Sequence, residues 1–382
     1  MARPPRLLFL VNEALFFTTH RMPVALAARA AGYDVHVAAP FDETFVAVIR
    51  DHGFPYHDIP LKRGTRGLTG ELRLIAALFR LILTLKPDLV HHVAMKPVVW
   101  GGIVSRLARV PAAVFAITGL GYLFTGRSLS FRLQQAVLKR LYRFALRHRN
   151  AKAIFQNPDD LALFRANRLV RPSQVVMIKG CGVDLRHFAC RPEPEGIPIV
   201  LFPARTLGDK GAREFVFAAE HLRAKGCPAR FVMVGRTDFD NPTATSEAEI
   251  AGWTERGLVE WWGYATDMPN VLAQAQVICM PSYREGLPRG LIEAAAVGRA
   301  IVTTDVPGCR DVVRHEVNGL LVPARDGEAT AAAIARLLED AELRRRLAAA
   351  GRAIAEAEFS VEAFIADTLA VYRAVLPEEI RR

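Results

Sequence analysis

The stretch VICMPSYREGLPRGLIEAAAVGRAIVTTD (277–305) contains an apolar run, a helical segment and a second apolar run in immediate succession. The runs VICMPS (277–282) and AIVTTD (300–305) end in small or polar residues, and RGLIEAAAVG (289–298) between them has helical character. Two strands joined through one helix run parallel, with a right-handed crossover. The stretch therefore predicts one unit of a doubly wound α/β sheet.

The same alternation of strand and helix continues in both directions from this stretch. Upstream of it we predict strands at 199–204 and 230–235 and a helix at 214–226. The N-terminal half repeats the pattern, with strands at 7–11, 34–40 and 87–93 and helices at 23–32 and 72–86. Two doubly wound sheets are therefore expected in one chain.

A Pro-rich segment without periodicity, CRPEPEGIP (190–198), separates the two patterns. A chain of 382 residues, 51% hydrophobic, is long enough for two cores. We predict a first domain over 1–190, a second over 191–360, and a helix within 361–382 that packs back on the first. Two facing domains of this class bind ligands in a cleft at the carboxyl ends of their strands.

Composition excludes several classes of protein and indicates a compartment. Five scattered cysteines without a C-x-x-C pair argue against a disulfide framework or a zinc site and favour a reducing, cytoplasmic environment. The apolar run that begins at Leu7 is too short for a signal peptide, and no uncharged stretch has the length of a membrane span. Residues 1–192 carry 28 Lys and Arg against 11 Asp and Glu, so the first domain is expected to attract polyanions.

The loop between the quoted strand and helix has the residues of an anion site. Glu285 and Glu293 are separated by seven residues, and Gly286, Leu287 and Pro288 follow the first of them. Proline suits the first helical turn, so amides near Gly286 and Leu287 are expected to point outward from a helix N-terminus. A carboxylate at Glu293, inside the helix, would reach hydroxyl groups beyond the phosphates.

A second loop, PARTLGDKG (203–211), follows another predicted strand and supplies the two cations Arg205 and Lys210. Facing a helix N-terminus, they would neutralise a diphosphate as it leaves. The two loops together predict a nucleotide-diphosphate site without a Walker glycine loop. A nicotinamide dehydrogenase is disfavoured, because VNEALF replaces the glycine fingerprint after the first strand.

These motifs resemble those of family-4 retaining glycosyltransferases of the GT-B fold. The resemblance rests on E-x7-E (Glu285, Glu293), R-x4-K (Arg205, Lys210), the G-V-D-x3-F turn at 182–188 and N-G-x-L-V-P at 318–323. In the N-terminal half, FFTTHR (16–21), VAMKP (93–97) and ITGLGYLF (117–124) are similar to the subgroup that extends polyprenyl-diphosphate-linked oligosaccharides with N-acetylhexosamines.

The resemblance implies a role for each matching residue of the donor site. Arg205 and Lys210 would hold the diphosphate, Glu293 the ribose hydroxyls and Glu285 the donor sugar. Gly286 and Leu287 would line the same site, and Tyr264 would lie near the base.

On the acceptor side this sequence departs from the family. NEALFF, beginning at Asn12, replaces the usual Gly-Gly loop, and Thr118-Gly119 replaces a His-Gly pair. The acceptor must therefore be bound differently from the family pattern. The candidate acceptor-side residues are Asn12, Lys96, Thr118 and Gly119.

The resemblance implies transfer with retention from a UDP-sugar, with no bound metal or other cofactor, in the synthesis of bacterial surface polysaccharide. The leaving diphosphate would help to accept the acceptor's proton.

Asp238-Phe239-Asp240 resembles a metal–diphosphate signature, but its polar surroundings favour a surface turn. A nucleotide-sugar epimerase and a non-catalytic binding module remain as alternatives. His91 and His92 are expected to be structural.

The segment 127–150 contains seven Arg or Lys, no carboxylate and apolar residues at helical spacing. We predict a helix that contacts anionic lipid through residues such as Arg140, Arg143 and Arg147, with 72–86 adding apolar surface. The protein would then be peripheral on the inner face of the membrane. Nucleic acid is not expected as a partner, because aromatic residues are not interleaved with the basic ones.

Overall fold

The computed structural model describes residues 3–61, 67–119, 129–237 and 243–381. Its contacts divide the chain into two units, Met1–Cys181 with Glu362–Arg382, and Gly182–Val361. The second unit begins before the Pro-rich segment, because the turn that follows Cys181 contributes Val183 and Phe188 to the second unit's core.

The first unit is built on a seven-stranded sheet in which every pairing is parallel. Its strand order is β3-β2-β1-β4-β5-β6-β7. The strands are β1 (Arg6–Val11), β2 (Asp34–Ala39), β3 (Tyr56–Asp58), β4 (Leu89–Val93), β5 (Ala112–Ile117), β6 (Ala151–Phe155) and β7 (Val175–Met177).

Both faces of this sheet are buried. In β1, Leu7 and Phe9 pack into one hydrophobic cluster, while Leu8 and Leu10 pack into another on the opposite face. Side chains alternate across a strand, so helices must cover both faces, as a doubly wound sheet requires. The covering helices are α1 (Ala14–His20), α2 (Met22–Ala30), α3 (Glu43–Asp51), α4 (Gly67–Leu85), α5 (Gly102–Leu107), α6 (Leu129–Leu146) and α7 (Pro158–Ala166).

The two histidines of β4 lie in the core of the first unit. His91 Nδ1 is 2.5 Å from the hydroxyl of Tyr372, and His92 Nε2 is 3.2 Å from the hydroxyl of Ser105. Burial lowers the pKa of His91 well below its usual value and that of His92 to about 3. Both rings are therefore neutral, and both are buried.

The second unit has a six-stranded parallel sheet with the order β10-β9-β8-β11-β12-β13. Its strands are β8 (Ile199–Pro203), β9 (Arg230–Val234), β10 (Glu260–Trp261), β11 (Val277–Met280), β12 (Ala300–Thr304) and β13 (Leu320–Val322). The order reverses between β8 and β11. In doubly wound sheets ligands bind beyond the carboxyl ends of the strands at such a switch point.

Helices also cover both faces of the second sheet. Ile199 and Leu201 of β8 belong to one cluster, and Val200 and Phe202 to another. The helices are α8 (Ala212–Ala224), α9 (Glu247–Glu255), α10 (Met268–Ala273), α11 (Arg289–Val297), α12 (Cys309–Val312), α13 (Gly327–Glu339) and α14 (Ala341–Glu358). The predicted strands and helices of both units are present, with ends that differ by a few residues.

The chain ends in α15 (Val361–Val375) and α16 (Glu378–Arg381). Phe364, Val371, Tyr372 and Val375 of α15 are buried in the core of the first unit. The last long helix therefore belongs to the first unit rather than to the second. Among the described residues, none of the helices combines the length and the hydropathy that crossing a membrane demands.

Candidate active site

Two loops meet at the switch point of the second sheet. One follows β8 and contains Arg205 and Lys210, and the other follows β11 and contains Glu285. The amide of Tyr283 in the second loop donates to the carbonyl of Asp209 in the first, at 2.9 Å. The topology thus brings the two predicted donor loops into direct contact.

Gly211 is required for this contact. Its φ is +80°, and a Cβ at this position would overlap the carbonyl oxygen of Pro281. Glycine alone tolerates both the left-handed conformation and the close approach of another backbone. The residue after Lys210 is therefore what lets the first loop lie against the second.

Of the three predicted catalytic side chains, Arg205, Lys210 and Glu285, the last two form an ion pair. Lys210 Nζ is 2.5 Å and 2.7 Å from the two carboxylate oxygens of Glu285. The side chains are only 18% and 11% exposed, so the pair is largely shielded from solvent. A partly desolvated ammonium attracts anions strongly, and here the carboxylate of Glu285 occupies it.

The backbone on the other side of Glu285 is fixed by the loop after β12. The amide of Glu285 donates to the carbonyl of Pro307 at 3.1 Å. Gly308, with φ +84°, has no side chain, and a Cβ there would lie 2.7 Å from the carbonyl oxygen of Glu285. Glu285 is therefore held between the loops that follow β8 and β12.

Arg205 lies half-buried at the start of the first loop. Its carbonyl accepts a hydrogen bond from the amide of Leu207 at 2.8 Å, and the neighbouring Thr206 amide donates to the carbonyl of Arg236 at 3.2 Å. Backbone bonds to its own loop and to the end of β9 thus set the position of Arg205.

Glu293 lies in the second turn of α11 and is 8% exposed. Arg289, four residues earlier, donates from Nε to Oε1 of Glu293 at 2.6 Å. Burial raises the pKa of Glu293, while Arg289 and then His187 oppose that rise. Arg289 was not among the residues predicted from the sequence, although its spacing of four from Glu293 on a helix was a usable signal.

The helix start differs from the prediction by one residue. Pro288 is the N-cap, outside the first turn, and the amide of Leu291 donates to its carbonyl at 3.1 Å. Gly286 is buried, and Leu287 packs against the hydrophobic core beneath the loop. Leu287 therefore anchors the segment that joins Glu285 to α11.

Tyr264 follows β10 and is 46% exposed. The guanidinium of Arg236 lies 4.7 Å from the centroid of its ring, within the range of a cation–π contact. Since the carbonyl of Arg236 also bonds to Thr206, this exposed ring lies beside the loop of Arg205. Arg236 was missed by sequence reasoning, which had no local signal for it.

The acceptor-side candidates follow three adjacent strands of the first sheet. Asn12 comes after β1, Lys96 after β4, and Thr118-Gly119 directly after β5. Lys96 Nζ is 2.8 Å from a carboxylate oxygen of Glu71. The side-chain oxygen of Asn12 is buried and has no hydrogen-bond partner among the described residues. These residues share one edge of the sheet, the edge at which ligands bind in this class of fold.

Two predictions fall outside the described residues. One is the Asp238-x-Asp240 turn, and the other is the continuation of the ITGLGYLF motif beyond Gly119. In the described part of the chain, no three His, Cys, Asp or Glu side chains are grouped so that they could hold a metal ion.

Comparison with known proteins identifies the family. Residues 197–340 match the model "Glycosyl transferases group 1", and residues 6–157 match the model "Glycosyl transferase 4-like". The 2-deoxystreptamine N-acetyl-D-glucosaminyltransferase of Streptomyces fradiae is 31% identical over 315 residues, covering 76% of this chain and 74% of that protein. The chain belongs to the group 1 glycosyltransferases.

A further relative of this glycosyltransferase spans nearly its whole length. It is the N,N'-diacetylbacillosaminyl-diphospho-undecaprenol alpha-1,3-N-acetylgalactosaminyltransferase of Campylobacter jejuni, 28% identical over 356 residues, covering 90% of this chain and 92% of that protein. The bacterial polyprenyl-diphosphate subgroup suggested by the sequence motifs is therefore confirmed.

The fold of the glycosyltransferase is also confirmed. HepE of Anabaena, solved in complex with UDP and glucose, superposes with a TM-score of 0.74 at 21% identity, covering 95% of this chain and 99% of that one. The two parallel α/β units are those of the GT-B fold. At this identity the likeness establishes the fold alone.

Proposed function

We propose that this glycosyltransferase transfers a hexose or N-acetylhexosamine from a UDP-sugar, with retention, to a polyprenyl-diphosphate-linked glycan. The observation that carries the proposal is the shielded contact of Lys210 with Glu285 at the switch point of the second sheet. A cation and a carboxylate from separate loops meet there, where this fold class binds its ligands.

Each donor-site residue has a task that its surroundings support. Arg205 and Lys210 stabilise the negative charge that develops on the leaving diphosphate. A positioned cation contributes about 3–4 kcal/mol to such stabilisation, by analogy with oxyanion-hole deletions. Glu293 accepts hydrogen bonds from the ribose hydroxyls, and the ring of Tyr264 lies under the base. The leaving diphosphate accepts the proton of the attacking hydroxyl, so these residues need supply no separate general base.

Glu285 has two successive partners in this scheme. Without donor its carboxylate neutralises Lys210. When the diphosphate binds, its oxygens replace the carboxylate at the ammonium, and Glu285 turns to the donor sugar. Glu285 thus neutralises the charge of the largely shielded Lys210 until the diphosphate of the substrate replaces it.

The relatives support the proposed acceptor and sugar. The Campylobacter jejuni enzyme is named for a diphospho-undecaprenol acceptor and for N-acetylgalactosamine transfer. A galactosyltransferase of Escherichia coli, 26% identical over 286 residues, is named for a UDP-Gal donor and a GlcNAc-diphosphoundecaprenol acceptor. An acceptor of this class lies in a membrane, so the enzyme must work at the bilayer surface.

The surface of the first unit suits such a location. In α6 the exposed residues Val137, Arg140 and Phe144 recur at helical spacing and so share one face, and the exposed Arg147 follows directly after the helix. Arg106 of the neighbouring α5 stacks on Phe144, with its guanidinium 4.2 Å from the ring centroid. Exposed apolar and basic side chains on one face are typical of helices that lie on anionic membranes. We assign this face as the membrane-contact surface, which makes the enzyme peripheral on the cytoplasmic side.

We expect Arg140→Ser with Arg147→Ser to weaken binding to vesicles that contain anionic lipid by about thirtyfold. Each basic residue near such a surface is worth about 1 kcal/mol. Arg143 is left unchanged, because it is half-buried and its Nη2 donates to the carbonyl of Asn167 at 3.0 Å, which gives it a structural role. Vesicle co-sedimentation measures the effect.

The matched control removes two exposed arginines from the second unit, Arg345→Ser with Arg346→Ser. It changes the net charge equally and is expected to leave vesicle binding within about twofold. Equal losses in the two double variants would assign binding to overall charge and contradict the proposed face.

The reaction itself is tested by nucleotide release from a panel of UDP- and GDP-sugars, with and without a polyprenyl-diphosphate-linked sugar. We expect release of UDP from one donor only when the acceptor is present, and its loss in Glu293→Ala. Loss of the carboxylate removes the ribose contact and the ion pair with Arg289. Release that is independent of acceptor, or unchanged in Glu293→Ala, would contradict the proposal.

A further inference from the structure

Glu293 is a buried carboxylate on α11, a helix whose other residues from Leu291 to Val297 are apolar and buried. Its neighbours in α11, Leu291, Ile292, Ala294 and Ala295, have exposures of at most 1%. A carboxylate in such surroundings loses the water that stabilises its charge. Some charged or hydrogen-bonding group must therefore compensate for that loss if Glu293 is to remain ionised.

Arg289 is placed to provide this compensation. It lies one turn before Glu293 on the same helix, and its Nε donates to Oε1 at 2.6 Å, a short charge-assisted bond. The Arg289 side chain is 25% exposed, so its own charge stays partly hydrated. The bond therefore orients the carboxylate of Glu293 and also supplies its counter-charge.

Other charged groups of the described residues also lie near α11. Arg299 follows the helix and donates to the carbonyl of Val297, at its C-terminal end, at 3.4 Å. His187, from the turn before β8, acts on Glu293 in the same sense as Arg289 but more weakly. Arg352 of α14 lies at the opposite end of α11, where it donates to the carbonyl of Ala296 at 2.6 Å. Arg289 is therefore the principal counter-charge of Glu293.

We infer that Arg289 is a positioning residue that keeps Glu293 ionised and oriented for the two ribose hydroxyls of the nucleotide. The inference rests on the proposed function, in which Glu293 binds the ribose. Two hydroxyls donate to an ionised carboxylate, whereas a protonated carboxyl group must itself donate and loses acceptor capacity. Arg289 contacts the carboxylate of Glu293, so in this scheme its loss acts on nucleotide binding through Glu293.

The direction of the pH effect follows from burial. Burial already raises the pKa of Glu293, and Arg289 is the largest influence that lowers it. Without Arg289 the group takes up a proton at higher pH, so nucleotide binding weakens below that pH and recovers above it. Removing Arg289 should therefore move the lower inflection of the binding profile upward.

The test is calorimetric titration of the full chain with UDP between pH 5 and 9, in wild type and in Arg289→Met. We expect UDP to bind Arg289→Met about tenfold more weakly at pH 6.5, with much of the loss recovered at pH 8.5. Arg289→Lys retains a positive charge and should restore most of the affinity at pH 6.5. Arg289→Gln is a second uncharged variant of similar length, for use if the methionine variant does not fold.

The titration of UDP itself is controlled for with Glu293→Gln, which keeps that titration and removes the ionisation of Glu293. In that background, Arg289→Met should cause no further pH-dependent change. UDP binding that is equally weakened at every pH, or that is tightened because Arg289 had competed with the ribose, overturns the inference while leaving the proposed function intact. If wild type fails to bind UDP at all, the proposed function fails and the inference with it.

Discussion

Replacing Lys210 with alanine should lower turnover at saturating UDP-sugar by about a hundredfold or more. The substitution removes a positioned cation from the leaving diphosphate, a loss of about 3–4 kcal/mol in the transition state by comparison with oxyanion-hole donors. The effect is expected in kcat as well as in kcat/KM, because negative charge grows on the diphosphate during bond cleavage. Acceptor-dependent release of UDP in single turnover measures it.

The substitution also leaves Glu285 without its counter-charge. That carboxylate is 11% exposed and has Lys210 as its ion-pair partner. Stability must therefore be followed in parallel by thermal unfolding. The matched control is Arg213→Ala, which removes a cation three residues further along the chain whose side chain is 63% exposed. We expect the control to turn over within about twofold of wild type. A folded Lys210→Ala enzyme with near-wild-type turnover would disprove the assignment of Lys210.

Glu285→Gln should separate binding from catalysis. Glutamine keeps the length of the side chain but removes the charge that neutralises Lys210. UDP then meets an ammonium that no carboxylate occupies, and we expect it to bind about tenfold more tightly, equivalent to about 1.4 kcal/mol. Turnover should fall by about a hundredfold, because the group that contacts the donor sugar has lost its charge. Calorimetry with UDP and acceptor-dependent release give the two values.

The control for this variant is Glu249→Gln, which removes the carboxylate of a more exposed ion pair with Arg213. Neither UDP affinity nor turnover is expected to change in it. Weaker UDP binding in Glu285→Gln would mean that the carboxylate holds Lys210 in place for the diphosphate rather than competing with it. Unchanged turnover would favour a role for Glu285 in binding only.

The donor loops were predictable because their chemistry is local in the sequence. Glu285 and Glu293 are separated by a loop and a helix start, and Arg205 and Lys210 lie in one loop. The last helix was likewise predicted within 361–382, because its apolar residues recur at helical spacing. Pro288 was misplaced by one residue, since proline is acceptable both in the first turn and just before it.

Partners of the site residues were less accessible to sequence reasoning. Arg289 lies at a helical spacing from Glu293 that a systematic search for i,i+4 pairs would find. Arg236 lies 28 residues from Tyr264 in the chain, and no pattern joins them until β9 and β10 pair. Arg143 has its structural role because Asn167, directly after α7, lies within hydrogen-bond distance of it. That contact joins residues 24 positions apart and has no local signal in the sequence either.

By itself, therefore, the sequence determined the α/β class, the two parallel-sheet units and the residue types of the donor loops. The alternation of apolar runs with helical periodicity indicates the class and the two units, because each pattern is contained within a short window of sequence. Only the tertiary structure decided that Lys210 and Glu285, 75 residues apart, touch each other. That contact exists because β8 and β11 are neighbours where the strand order reverses, and strand order is fixed by the packing of the whole unit rather than by any local segment.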